Sequence, residues 1–357
     1  MKVMIATGGT GGHIYPAMAL AEILKKEKPE TEIVFFGTND RMESKVIPQA
    51  GYRFYGASMT GMNGGISAKV KSAASLIKAG GYCRRILKKE KPDICIGFGN
   101  YISVPLIKAA KRMHIPVMIH EQNSFAGKAN RFLANDADVI VGCYESNLEQ
   151  MPKEKVRLYG NPQASLAALT EFDPSEIEKN GLDPKIPFVV FMMGSLGSES
   201  VSEVIDQACS LFDDSFQVII AAGTSNDYEF KYESDERIRI VPYVDGKNML
   251  KGCALAVTRA GATTMAELGA IGCASVLIPS PFVPNNHQVI NALELVKRDA
   301  AVMIEEKDLT AEKLADTVNS LMRDPEKLDQ MRKNAYAAGQ RDAAEKMIAC
   351  MEELING

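Results

Sequence analysis

Short apolar runs alternate with amphipathic helical stretches along the whole chain, and this alternation restricts the fold more than any other feature of the sequence. In the first half the runs are Val3–Ala6, Ile33–Phe36, Ile94–Gly97, Val117–His120, Val139–Val141 and Val156–Tyr159. In the second half they are Phe188–Met192, Val218–Ala222, Ile238–Val241, Leu255–Thr258, Ser275–Ile278 and Ala301–Ile304. Helical spacing lies between them, at Pro16–Lys26, Val104–Arg112, Ser200–Phe212, Thr264–Ile271 and His287–Lys297. Such alternation means parallel sheets covered by helices. The number of units, and a length of 357 residues, fit two sheets rather than one. The expected fold is α/β: two Rossmann-like, doubly wound parallel-sheet domains with a cleft between them. The break falls near Gly160-Asn161-Pro162, giving an N-terminal domain over residues 1–162 and a C-terminal domain over 163–337. The last helical stretch, about 338–357, is expected to pack back on the first domain. Ligands of such sheets bind at the carboxyl ends of the strands, so the loops there are where chemistry is sought.

Composition narrows the class. The chain is 46% hydrophobic and 24% charged, and its longest apolar runs are strand-sized, so no bilayer-spanning segment is expected. No secretory signal is expected either, since glycines begin five residues after Lys2. Seven cysteines without a CxxC pair suit buried thiols in a reduced, cytosolic protein. The net charge of -4 hides a split: residues 1–160 carry 23 Lys+Arg against 14 Asp+Glu, and the remainder carries 18 against 31. The first domain therefore faces something anionic.

The loops after the apolar runs carry the motifs. TGGTGGHIYPA, Thr7 to Ala17, follows a strand and opens a helix, with Pro16 expected near its first position. Its glycines let backbone N–H groups approach a ligand at a helix N-terminus. It is neither GxGxxG nor GK[ST], so it encodes neither dinucleotide nor Mg-nucleotide binding. Histidine is the side chain type that titrates near neutral pH, which makes His13 a candidate general base. GFGNYISVP, Gly97 to Pro105, is a second glycine loop in the equivalent place. HEQNSFAGKANR, His120 to Arg131, puts His, Glu, Gln and Asn directly after a buried strand, with Glu121 and Asn123 directed to the mouth of the cleft. In the second half, MMGSLGSES (Met192 to Ser200) is a small-residue turn into a helix, suited to phosphate. TRAGATTMAE, Thr258 to Glu267, repeats that arrangement and brings a carboxylate for sugar or ribose hydroxyls. PSPFVPNNHQVINA, Pro279 to Ala292, presents four polar tips at a helix start, with Asn285 or Asn286 as the expected cap.

Taken in order, GGTGGHIYPA, GFGNYISVP, HEQN, GNP, the small-residue turn, RAGATT.AE and NNHQ..NA resemble the MurG family, the N-acetylglucosaminyltransferases of peptidoglycan synthesis, in its Gram-positive form. The resemblance covers nearly the whole chain. It implies the GT-B fold and an inverting transfer of GlcNAc from UDP-GlcNAc to the C4 hydroxyl of MurNAc in lipid I, giving lipid II. It implies no metal and no cofactor, the departing UDP being stabilised by helix N-termini and polar side chains. The first domain then faces the acceptor and the membrane, and the second binds the donor. Matched position by position, Thr10, Gly11, Gly12 and Asn123 contact the donor from the first domain. Gln163, Ser195, Val244, Ala262, Thr263, Thr264, Glu267, His287 and Gln288 complete the donor set. Glu267 binds the ribose hydroxyls, Gln288 reads the GlcNAc hydroxyls and Ser195 touches the diphosphate. His13 is the candidate for deprotonating the acceptor, with Glu121 as the alternative or as its orienting partner. Tyr101 and Asn130 lie on the acceptor side. The sequence departs from the family at three places: Gln163-Ala164 stands where an arginine commonly follows GNP, Asn100 replaces a glycine, and Met193 replaces the first glycine of a Gly-Gly-Ser turn. Arg259, on another loop, is a conceivable substitute for the missing charge.

A polyprenyl acceptor requires reaching a membrane without spanning it. Residues 66–91 hold eight basic residues and one acidic one, interleaved with Ile66, Val70, Leu76, Ile77, Ile86 and Leu87. A basic amphipathic segment suits an anionic membrane surface, placing the protein peripherally on the cytoplasmic face of the cell membrane. Gly80-Gly81 is expected to interrupt this helix. Nucleic acid is not an expected partner: aromatic interleaving and known motifs are lacking. An isomerase acting on UDP-GlcNAc, a transferase using diacylglycerol, and an inactive scaffold of the same fold stay open as rivals.

Overall fold

The computed structural model of the protein describes residues 1–61, 65–194, 198–223 and 228–357, the side chains of 66–69 and of Pro284 excepted. The chain forms two compact units, Met1–Leu166 with Arg341–Gly357, and Ala167–Gln340. The boundary falls inside the helix Pro162–Leu169.

The first unit is built on a seven-stranded sheet: β1 (Lys2–Ala6), β2 (Glu32–Thr38), β3 (Arg53–Ala57), β4 (Ile94–Gly97), β5 (Val117–Glu121), β6 (Val139–Gly142) and β7 (Val156–Arg157), in the order β3-β2-β1-β4-β5-β6-β7. Every pairing is parallel. Consecutive apolar residues of one strand point to opposite faces, and both faces are covered. Val3, Ile5, Phe35, Ile94 and Ile96 pack on one side with α1 (Gly11–Glu27) and the C-terminal helix Ala343–Asn356. Met4, Ala6, Val34, Phe36 and Cys95 pack on the other, with α3 (Ile66–Glu90), α4 (Asn100–Arg112) and α5 (Lys128–Leu133). A short helix, α2 (Glu43–Gln49), follows β2. The C-terminal helix joins this unit because Ala344, Met347, Ile348 and Met351, at helical spacing, are all buried in the core that holds Leu20 and Leu24. The Ser165 hydroxyl fixes its first turn, accepting from the Ala344 amide at 2.9 Å. The helix before it, Pro325–Ala338, belongs to the second unit.

The second unit carries β8 (Phe188–Met192), β9 (Gln217–Ala221), β10 (Ile238–Val241), β11 (Leu255–Thr258), β12 (Ser275–Leu277) and β13 (Ala301–Met303) in the all-parallel order β10-β9-β8-β11-β12-β13. Its two faces are covered by the helices 199–208 and 311–322 on one side and by 246–252, 262–271 and 287–296 on the other.

Both sheets are doubly wound: the direction in which successive strands are added reverses between β1 and β4 in one and between β8 and β11 in the other. The strand ends on either side of such a reversal diverge and leave a crevice. In the first unit the two loops at that point are the two glycine loops. In the second they are the loop after Met192 and Arg259–Gly261.

Two local expectations are corrected. α1 begins at Gly11, where the Thr10 carbonyl accepts from the amides of His13 at 3.1 Å and Ile14 at 3.2 Å, so Pro16 lies inside the helix and not at its first position. There it withholds the amide that the Gly12 carbonyl would otherwise receive. α3 runs unbroken through Gly80-Gly81. Each glycine weakens a helix by about 1 kcal/mol, but Ala79, Cys83, Ile86 and Leu87 around them are buried in the core, and that packing prevails.

Candidate active site

Two side chains from other elements hold the glycine loop after β1. The Asn100 Nδ2 donates to the Gly8 carbonyl at 3.2 Å, and the Gly9 amide donates to Glu43 Oε2 at 3.1 Å. Asn100 has φ 61°, the left-handed region where glycine is favoured and asparagine is the next most tolerant residue. That conformation explains why asparagine can replace a glycine here. The replacement adds the bond to Gly8, and the Asn100 Oδ1 accepts from the Tyr101 amide at 2.7 Å.

The loop delivers Gly11, Gly12 and His13 as the first turn of α1, whose leading amides have no partner within the helix. The His13 Nδ1 lies 2.9 Å from the Thr10 hydroxyl. Its ring lies against Gly99, with φ 76°, where a Cβ would stand 3.0 Å from His13 Cδ2 and 3.5 Å from Asn130 Nδ2. Bare backbone at Gly99 is therefore what admits the imidazole beside the HEQN loop. Thr10, Gly11, Gly12, His13, Tyr101, Glu121, Asn123 and Asn130 all belong to this one unit.

Glu121 is 1% exposed. Its carboxylate accepts from the Asn123 amide at 3.0 Å, the Asn123 Nδ2 at 3.4 Å, the Gly127 amide at 2.8 Å and the Asn130 Nδ2 at 2.8 Å. Burial pushes its carboxyl above the ordinary range, and the donated bonds oppose that. A carboxylate with both oxygens occupied holds the 121–130 loop in shape. Asn130 is buried too and also donates to the His120 carbonyl at 2.9 Å. Among the described residues its Oδ1, and the Tyr101 hydroxyl, are buried without a hydrogen-bond partner. His120 is fully buried; its Nε2 donates to the Gly160 carbonyl at 3.1 Å, and burial lowers its pKa to about 4.

In the second unit the helix Ala262–Ile271 starts directly after Arg259–Gly261 and aims its first amides, at Ala262, Thr263 and Thr264, at the strand-end crevice. The Thr263 hydroxyl has no hydrogen-bond partner among the described residues. Glu267 stands one turn further on, half-buried. Val244 is buried beside Asp245, whose carboxylate caps the following helix by accepting from Lys247 and Asn248. Gln288 Oε1 accepts from the Ser280 amide at 2.9 Å and so pins the proline loop, and His287 is its neighbour at the start of that helix. Asn286 occupies the cap position but at φ 52°, and its side chain makes no capping bond, contrary to expectation. Ser195 lies outside the described residues. Gln163 is buried, its amide donating to Asn161 Oδ1 at 3.0 Å. Arg259 is committed elsewhere, with Nη1 donating to the Ile278 carbonyl at 3.1 Å and to Glu306 at 2.7 Å, which argues against its replacing the missing arginine. A cavity of about 310 Å³ lined by Pro279, Pro281, Asn286, Val289, Glu305, Glu306 and Lys307 holds none of the expected donor residues.

Among the described residues no group of three or more His, Cys, Asp or Glu is placed to hold a metal ion, and no helix is long and apolar enough to cross a membrane. Sequence reasoning missed Glu43. It opens the short helix α2 in a stretch with no motif, and its partner Gly9 is 34 residues away.

The chain matches the glycosyltransferase family 28 N-terminal domain over residues 3–141 and its C-terminal domain over residues 188–347. A Pediococcus pentosaceus protein named UDP-N-acetylglucosamine--N-acetylmuramyl-(pentapeptide) pyrophosphoryl-undecaprenol N-acetylglucosamine transferase is 38% identical over 99% of both chains. Its namesake in Listeria monocytogenes is 36% identical over 98% of both. Among solved structures, Acinetobacter baumannii MurG superposes with a TM-score of 0.78 at 24% identity, covering 99% of each chain. A putative UDP-N-acetylglucosamine 2-epimerase from Listeria monocytogenes reaches 0.70 at 14% identity, covering 98% of this chain and 95% of that one. Both superpositions establish the two-domain GT-B fold, which transferases and epimerases share. The sequence relation separates them, since it runs end to end with named transferases: the chain belongs to the MurG family of glycosyltransferases.

Proposed function

We infer that the protein transfers GlcNAc from UDP-GlcNAc to the C4 hydroxyl of MurNAc in lipid I, giving lipid II for peptidoglycan synthesis. The observation that carries this is the end-to-end relation to transferases named for that donor and acceptor. The first unit, Met1–Leu166 with Arg341–Gly357, serves the acceptor and the membrane; the second, Ala167–Gln340, holds the donor.

His13 is the base. In the tautomer whose Nδ1–H donates to the Thr10 hydroxyl, Nε2 is the basic nitrogen that would take the acceptor proton. As that proton leaves, the C4 oxygen attacks the anomeric carbon from the face opposite the diphosphate. The bond from that carbon to the diphosphate oxygen breaks, and UDP departs with the electron pair. Attack from the opposite face inverts the anomeric centre. Glu121, enclosed by four donated bonds, orients the loop bearing Asn123 and Asn130 and takes no proton itself. Tyr101 and Asn130 offer buried polar atoms to the acceptor. Thr10, Gly11, Gly12 and Asn123 reach the donor from the first unit. Gln163, Ser195 and the amides of Ala262, Thr263 and Thr264 surround the diphosphate. They supply the charge stabilisation that a cation supplies elsewhere. Glu267 takes the ribose hydroxyls, His287 and Gln288 the sugar, and Val244 the base.

The exposed face of α3 carries Val70, Ile77 and Gly81 one above another, flanked by Lys71, Lys78, Arg84 and Arg85, all exposed. An apolar strip between cations suits the anionic, cytoplasmic face of the membrane. Ile86 and Leu87 belong to the core and take no part.

The test is UDP release from UDP-GlcNAc in EDTA, with a short-chain lipid I analogue, with diacylglycerol, and with no acceptor. Release that needs the lipid I analogue and survives EDTA supports the assignment. Release with diacylglycerol alone, or conversion of the donor to its 2-epimer without acceptor, overturns it.

A further inference from the structure

Glu43 is 0% exposed, and its hydrogen-bond donors are all uncharged. Its Oε1 accepts from the Thr38 amide at 3.1 Å and from the Thr38 hydroxyl at 2.6 Å, and its Oε2 accepts from the Gly9 amide at 3.1 Å. Two glycines stay bare to admit it. A Cβ at Gly8 would stand 2.2 Å from Glu43 Oε1, and one at Gly37 would stand 2.7 Å from its Cγ. The Gly9 amide, which donates to Glu43, and the Gly8 carbonyl, which accepts from Asn100, belong to the same peptide group. One peptide plane is therefore gripped at both ends, by the first residue of α2 and by the first residue of α4. Its Gly9 lies one residue before Thr10 and four before His13. A buried carboxylate is expensive unless each oxygen is used, and only an acceptor with no N–H of its own can serve three donors here.

We propose that Glu43 is a positioning residue of the transfer reaction: it fixes the Gly8–Gly9 peptide plane and through it the place of Thr10 and His13. This rests on the assignment of His13 as the base. In Glu43→Gln the shape is kept, but whichever way the amide turns, its NH2 faces a backbone N–H of Gly9 or of Thr38. The loop is freed while the core is not.

The experiment uses the full chain and compares wild type with Glu43→Gln, Thr38→Val and His13→Ala. The control is Glu90→Gln, another buried carboxylate of the same unit. Glu90 binds Lys2 and Arg53, at the opposite ends of the strands. Readouts are melting temperature, kcat and KM with UDP-GlcNAc and a lipid I analogue, and amide hydrogen exchange over residues 7–15. Glu43→Gln is expected to exchange faster in that segment alone and to lower kcat about 100-fold, as a misplacement on the order of 1 Å does. Its KM for the donor should rise far less than kcat falls, since only Thr10, Gly11 and Gly12 of the proposed donor contacts lie on this loop. Thr38→Val, which removes one of the three donors, should shift both readouts the same way by less, and it serves if Glu43→Gln does not fold. Glu90→Gln should lower the melting temperature and leave kcat unchanged. Unchanged exchange over residues 7–15, or a kcat equal to wild type in both variants, would overturn the proposal. An active His13→Ala would overturn the assignment of the base, while the exchange result would still decide whether Glu43 holds the loop.

Discussion

At the scale of the residue, the first unit depends on polar groups that carry no solvent. His120 is neutral because burial holds its pKa near 4, against an ordinary value of 6.5. As pH falls through 6.5 the unfolded chain takes up a proton that the folded chain refuses, so folding is progressively destabilised down to about pH 4; above 6.5 the group has no effect. The loss is about 3 kcal/mol over that window. Denaturant unfolding of wild type and His120→Gln between pH 7 and pH 4.5 should therefore converge as the pH drops, the variant losing the smaller amount. Parallel curves would contradict the burial of a neutral imidazole. His13, Glu121 and Asn130 were legible because each sits in a polar motif directly after an apolar run. Their division of labour was not. That Asn130 serves Glu121, and that Glu121 is enclosed, depends on bonds from Gly127 and Asn123 which only the turn of the chain supplies. Glu43 was illegible for the same reason, since nothing local distinguishes it from a surface glutamate.

At the scale of the element, α3 shows local propensity overruled by packing. Nothing lies within 4 Å of a Cβ added at Gly80 or at Gly81, so alanine fits both positions without strain. Gly80→Ala and Gly81→Ala should each stabilise the protein by about 1 kcal/mol in denaturant unfolding. A destabilisation would mean that the helix bends or is contacted there. Val70 and Ile77, 64% and 77% exposed, lie on the face proposed for the membrane. Changing both to Asp should weaken binding to vesicles containing anionic lipid by tenfold or more, at about 1 kcal/mol per altered contact, and should leave binding of UDP-GlcNAc unaltered. Equal vesicle binding would place the membrane surface elsewhere. Twelve strands were legible, because apolar runs buried on both faces have little else to become; β3, RFYGA at the edge of its sheet and only partly buried, has no apolar run and was not. Helix starts were less so: Pro16 reads as a first-turn residue, yet the Thr10 carbonyl begins the helix at Gly11.

At the scale of the molecule, the two sheets repeat one plan, and that plan tells where to look. In each the strand order reverses once, between β1 and β4 and between β8 and β11; both glycine loops and RAGATT lie at those points, and HEQN and NNHQ follow the next strands out, β5 and β12. The alternation of strands and helices predicted two parallel sheets. It did not predict strand order, which depends on crossovers that sequence spacing leaves open. The fold alone does not separate transferase from epimerase, because both superpose on this chain. The most direct test of the central claim is therefore a single-turnover transfer with UDP-GlcNAc labelled in the sugar, a lipid I analogue and EDTA, followed by extraction of the lipid. The account predicts that label moves into the lipid as a GlcNAc–MurNAc disaccharide, only when the analogue is present, and at a greatly reduced rate in His13→Ala. Label remaining in the aqueous phase with intact, donor-bound protein would contradict it.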